Sequence, residues 1–217
     1  MAEYIEYEHP KIKVKFLKLG KYSFSSIEIK HLIIAMIMII LTLFVHQYQG
    51  ILSLDLIFSL NFLKFLGIYT LSVGTGFLFH ELGHKLVAQH YGFISEFRAD
   101  FQMLFLMFIA ALFLPILLLA PGAVMILGRP SRRQNGIISV TGPLVNLSLA
   151  IIFILISTIF HPTGTFEIIT NIGISVNAFL GIFNMLPIWV LDGKKVLAWN
   201  KPIYFTVMLA LILVFII

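Results

Sequence analysis

The sequence predicts an all-α polytopic membrane protein, with about five to six transmembrane helices around a three-helix core and a small β-hairpin at the N-terminus. Three observations carry that expectation. Of the 217 residues, 59% are hydrophobic and only 12% charged, about half the charged share of a soluble domain. The apolar residues gather in long runs, roughly at 32–47, 65–90, 102–127, 136–160, 168–190 and 202–217, and a span needs about 20 of them. The lysines and arginines behind the net charge of +5 mostly flank those runs, where anionic lipid headgroups and the positive-inside rule account for them. Membrane lipids are therefore expected partners and nucleic acid is not. The chain has no cysteine, which excludes disulfides, thiolate metal ligands and thiol nucleophiles.

Residues 1–31 form a basic arm. In "KIKVKFLKLGKYSFSSIEIK" lysine alternates with Ile12, Val14 and Phe16, Gly20 marks a turn, and Ile27 and Ile29 alternate with Glu28 and Lys30. That period of two reads as a β-hairpin lying against the membrane. The first long apolar run begins near His31, too far in and too long for a cleavable signal peptide. The expected organisation is this arm followed by a single transmembrane domain over 32–217, with a functional core at about 65–195.

Counting basic residues by loop gives an orientation. The arm carries Lys11, Lys13, Lys15, Lys18, Lys21 and Lys30 and should be cytoplasmic, while 48–64 carries only Lys64. If 102–127 crossed the bilayer once, Arg129, Arg132 and Arg133 would land outside, against the rule. The segment is therefore expected to dip in and return, bending at Pro115 or at Pro121–Gly122.

"FLFHELGHKLVAQHYG" (77–92) places ionisable groups at the end of a long apolar run. Residues i and i+4 share a helix face, so His80 and His84 can chelate one metal with Glu81 beside them, as in H-E-x-x-H zinc hydrolases. The competing reading is a hydrogen-bonded histidine pair inside a bundle, but burying such a cluster in lipid is costly and usually functional. A catalytic zinc takes three protein ligands. At 1.5 Å per residue, His80 and His84 lie roughly 22 and 28 Å into the second span. Asp192, closing the 168–190 run on the same side, matches that depth and is the expected third ligand; locally, a turn residue before Gly193 explains it too. Small and polar residues recur at helical spacing in three runs: Ser72, Gly76, His80 and His84; Ser139, Gly142, Asn146 and Ala150; Gly173, Asn177, Gly181 and Asn184. The glycines read as close helix packing. Asn146 and Asn184 read equally as packing groups and as carboxamides that bind substrate backbone or an oxyanion. Lys85, Gln89 and His90 read either as lining a polar path or as a solvated helix end.

Together, "HELGH" (80–84), "TGPLVN" (141–146) and "NMLPIWVLDG" (184–193) resemble the site-2 intramembrane zinc metalloproteases, in the minimal prokaryotic form without a PDZ domain. The resemblance implies one zinc per chain held by His80, His84 and Asp192, with Glu81 as general base. It further implies a substrate cleft shaped by Asn184 and Pro187, and a three-helix core containing Gly142, Pro143 and Asn146. Substrates would be transmembrane segments of other proteins. The location would be a prokaryotic cell membrane, with N-terminus and active site toward the cytoplasm. Trp189 stands where the family usually has a second proline, and Lys194 where it usually has a second glycine. Those departures define the alternative, a zinc-binding but proteolytically silent protein that binds transmembrane clients. A third ligand from Glu96 or Glu167 would instead mark a membrane-anchored soluble-type protease. Substrate identity and oligomeric state are not encoded in any motif.

Overall fold

The computed structural model describes residues 3–9, 12–48, 60–114 and 121–216. Among these the chain is predominantly helical. A three-stranded antiparallel sheet opens it: β1 (Glu3–His9), β2 (Ile12–Leu19) and β3 (Tyr22–Ser25), in that spatial order. The expected hairpin is the β2–β3 pair, registered Leu19↔Tyr22 and Phe16↔Ser25. Gly20 takes the positive φ of 61° that its tight turn requires. β1 adds a third strand along β2, from Glu3↔Lys18 to His9↔Ile12.

The expectation that 27–30 continues the hairpin is wrong. Helix α1 (Ser26–Gln47) starts there, because the Ser25 hydroxyl caps it by accepting from the Glu28 amide at 3.1 Å. Ser25-x-x-Glu28 is a helix-start signature that outweighs a short alternation.

The second span runs from Leu60 to His90 as α2 (Leu60–Tyr69), a π-helical turn (Thr70–Gly74) and α3 (Thr75–His90). Next come β4 (Ile94–Ala99), α4 (Phe101–Phe113) and β5 (Gly122–Leu127). Residues 102–127 are thus not one apolar helix but a helix and a strand. β5 pairs antiparallel with β4, Ala99 opposite Gly122, and Asp100 donates its amide to the Pro121 carbonyl at 3.1 Å. The chain leaves at Asp100, which caps α4, and is back beside it at Pro121. A segment that dips and returns must do this; Pro115 lies outside the described residues.

Helix α5 (Arg132–Phe160) begins in a reciprocal capping box between Ser131 and Gln134 and ends where His161 turns left-handed before Pro162. Helix α6 (Thr165–Asn184) stops six residues before the expected 190; 185–191 are irregular, and Asp192 opens the short helix α7 (Asp192–Trp199) rather than closing a span. Helix α8 (Lys201–Ile216) follows. Among the described residues, four helical runs are long and apolar enough to cross a bilayer, at Ser26–Gln47, Leu60–His90, Arg132–Phe160 and Thr165–Asn184; α4 and α8 are shorter apolar helices. This is a membrane protein.

Helices α3, α5 and α6 form the centre, with α7 and α8 packed along α5 and α6. Close approach there depends on missing side chains. A Cβ on Gly173 would fall 2.6 Å from the Phe153 ring, and one on Gly181 would fall 2.5 Å from Leu211. Without a hydrophobic drive between helices in lipid, such small-residue contacts supply the packing.

A buried ion pair joins the sheet end of the molecule to α3. Glu28 Oε2 accepts from Lys85 Nζ at 2.5 Å, and both residues are essentially fully buried. Glu28 Oε1 also accepts from the Phe97 amide, and Lys85 donates to the Ser95 carbonyl. Gln89 bridges the backbones of Ser23 and Ser95. Lys85 and Gln89 therefore hold α1, α3, β3 and β4 together and do not line a polar path; exposed His90 meets Lys21. Removing one partner from a buried pair strands the other charge, at a cost of about 3–5 kcal/mol. Glu28→Gln should lower the thermal midpoint in detergent markedly, and Glu28→Gln/Lys85→Met should recover much of the loss. Equal midpoints for the wild type and Glu28→Gln would show that the pair contributes nothing.

Candidate metal centre

His80 and His84 lie one turn apart on α3, both buried, and Asp192 reaches them from the first turn of α7. His84 Nε2 is 3.1 Å from His80 Nε2 and 3.0 Å from Asp192 Oδ2, and His80 Nε2 is 3.5 Å from that oxygen. Two ligands each about 2.05 Å from a tetrahedral zinc lie roughly 3.3 Å apart, so the triangle has the right size.

The donor set points the same way. His84 Nδ1 faces the Ile138 carbonyl at 2.7 Å, which only accepts, so the ring proton is on Nδ1 and the Nε2 lone pair points inward. His80 Nδ1 donates likewise to Asn146 Oδ1 at 2.6 Å. Three lone-pair atoms then converge with no proton between them, an arrangement that a cation satisfies. Holding the second ring nitrogen in this way is how metal-binding imidazoles are oriented. Asp192 contributes its Oδ2 to that convergence. Lys195 lies 3.4 Å from its other oxygen.

Two glycines make the geometry possible. A Cβ on Gly142 of α5 would stand 2.5 Å from His84 Nε2 and 2.6 Å from His80 Nε2, where the metal ligands converge. A Cβ on Gly193 would collide with the Met185 carbonyl at 1.9 Å, so only glycine lets α7 dock and deliver Asp192. Among the described residues the three ligands form the group able to hold a metal, with donor atoms all within 4.8 Å. Glu96 instead pairs with Arg98, Asp100 caps α4, and Glu167 sits in the first turn of α6, so none of them is the third ligand. Asp55 lies outside the described residues.

A cavity of about 140 Å³ adjoins the triad, lined by Glu81 and Asn184, by Pro121, Gly122 and Val124 at the β4–β5 hairpin, and by Val190 and Leu191. Asn184 turns its Nδ2 toward the Leu180 carbonyl at 3.0 Å and keeps one amide hydrogen for another partner. Asn146 is not at the cavity, contrary to the expectation that it meets substrate. It is fully buried behind His80, with its Nδ2 spent on Asn177 and Gly76. Pro187 is exposed in the 185–191 loop and does not line the cavity. In the same loop Trp189 has φ 50° and is 65% exposed. Proline cannot adopt that φ, so the loop follows a path that a second proline would forbid. Lys194 is exposed. Sequence reasoning missed the Ile138 carbonyl, which no side-chain pattern marks, and gave Asn177 only a packing role.

A protein of Methanocaldococcus jannaschii, whose name carries zinc metalloprotease as a provisional assignment, is 44% identical over 166 residues, 75% of this chain and 87% of that relative. A zinc metalloprotease of the same organism is 28% identical over 119 residues, 54% of this chain but 30% of its own length. No family model and no solved structure matches. The His80, His84 and Asp192 donors fit zinc, the metal in both relatives' names.

Gly142→Ala should lower zinc content at least tenfold, read by elemental analysis of the purified protein, with helix content unchanged by circular dichroism. One zinc per chain in that variant would mean that the convergence of His80 and His84 is not where the metal sits.

Proposed function

Because this chain belongs to the zinc metalloprotease family, we propose that it is an intramembrane endopeptidase of the site-2 type, cutting transmembrane segments of other proteins from the cytoplasmic side. The observation that carries this reading is the position of the triad. His80 and His84 lie within a helical run long enough to cross a bilayer, and the cavity beside them is walled largely by apolar side chains. A peptide bond hydrolysed there must itself come from the membrane. The basic residues Arg129, Arg132, Arg133, Lys194, Lys195 and Lys201 cluster at the same end of the helices as the triad, which favours a cytoplasmic site in a prokaryotic cell membrane.

His80, His84 and Asp192 would hold the zinc. When bound, zinc supplies Lewis acidity, activating a water and polarising the scissile carbonyl. Glu81, on the helix turn that carries His80 and His84, lines the cavity and acts as general base. Its carboxylate takes a proton from the attacking water and returns it to the leaving amide nitrogen, so the C–N bond breaks with no net proton change at Glu81. Asn184 offers its free amide hydrogen to substrate backbone or to the developing oxyanion. Substrate must unwind locally first, since a helical peptide hides its carbonyls in hydrogen bonds.

The test pairs metal content with cleavage of a transmembrane substrate, for the wild type and Glu81→Gln purified in detergent. One zinc in each, with cleavage by the wild type alone and at least 100-fold less by the variant, is the expected result. One zinc in both and cleavage by neither, across several substrates, would favour a silent client-binding protein.

A further inference from the structure

The two histidines are oriented by different means. His84 leans directly on a backbone carbonyl, that of Ile138, and a carbonyl cannot reverse its polarity. His80 leans on a side-chain amide, that of Asn146, and an amide can. Rotated by half a turn, Asn146 would present its NH2 to His80 Nδ1, and the ring would have to move its proton to Nε2, the atom the metal needs. Something must hold Asn146 the right way round.

Asn177 of α6 is placed to do it. Asn146 Nδ2 donates to Asn177 Oδ1 at 3.0 Å, and Asn177 Nδ2 donates to the Gly173 carbonyl at 2.8 Å, with the Ser72 carbonyl of the π-helical turn at 3.4 Å. The longer bond from Asn146 to the Gly76 carbonyl, at 3.3 Å, has the same polarity. Both asparagines are 0% exposed, so no water can substitute. Each amide in the chain therefore has one allowed orientation, dictated by carbonyls that only accept. We propose that Asn177 is a positioning residue for the metal centre, acting through Asn146 to fix the orientation and tautomer of His80. The inference rests on the reading of His80 as a zinc ligand.

Gly76 gives an independent handle. A Cβ there would stand 2.6 Å from Asn177 Oδ1 and push that oxygen off Asn146, while deleting no polar group. Zinc affinity is the readout, measured by chelator competition on zinc-free protein in detergent at a temperature where each variant is folded. Asn177→Leu and Gly76→Ala should each weaken zinc about tenfold, the scale expected when the group orienting a ligand is lost. Asn146→Leu should weaken it at least as much. Because Asn177 acts through Asn146, adding Asn177→Leu to Asn146→Leu should weaken zinc no further.

A buried amide that merely glues helices would lower the zinc-free melting temperature and leave the affinity of the folded protein unchanged. That pattern in both Asn177→Leu and Gly76→Ala would overturn the proposal, as would a double variant whose loss equals the product of the two single losses. If Asn177→Leu does not fold, Gly76→Ala decides alone. A wild type that takes up no zinc would overturn the ligand assignment itself, a result distinct from wild-type affinity in the variants.

Discussion

Every polar atom carried to membrane depth must find its partner inside the protein, since lipid offers none. The rest of this structure follows from meeting that demand for two imidazoles and one carboxylate. Each imidazole brings a second nitrogen that needs an acceptor, and α5 supplies both: a backbone carbonyl for His84 and a carboxamide for His80. The carboxamide brings an NH2 that needs acceptors in turn, which recruits α6 and the π-helical turn. The obligation ends only at backbone carbonyls. Three helices are thus bound around the centre by polarity as much as by packing, and the glycines let them come close enough to do it.

The buried groups around Glu28 obey the same rule. Glu28 receives both Lys85 and the Phe97 amide, so neither carboxylate oxygen is left unpaired. Ser95 returns its hydroxyl to the Lys85 carbonyl. The sheet, the first span and the β4–β5 hairpin meet at this one buried knot, and the same hairpin borders the cavity through Gly122 and Val124. The placement of the cavity wall relative to α3 is therefore set by charge pairing a few residues from the metal ligands.

What the sequence made legible was local or periodic. His80 and His84 declare themselves by an i, i+4 spacing on one helix, and the helices by long apolar runs. Asp192 could be matched by depth alone, although the helix that presents it was not foreseen. The strand at Gly122–Leu127 was hidden because its residues after Gly122 are all apolar; an exposed face in lipid needs no polar alternation, so a period of two leaves no mark. The start of α1 was misread because two periodic signals overlapped at 25–30 and the capping one prevailed. Asn146 stayed open between packing and substrate because spacing shows which face a residue occupies, not which of its atoms are already spent. The partners of Glu28 lie 57 and 69 residues away, beyond the reach of any local pattern.

That separation has a consequence for how the chain is made. Glu28 sits in the first turn of the first span, and its counter-charge emerges only with the end of the second. Until then a lone carboxylate must stay at the headgroup level, so the first span cannot settle to its final depth when it leaves the translocation machinery. The second span carries the permission for the first, and a chain truncated before Lys85 is left with an anchor that cannot finish inserting.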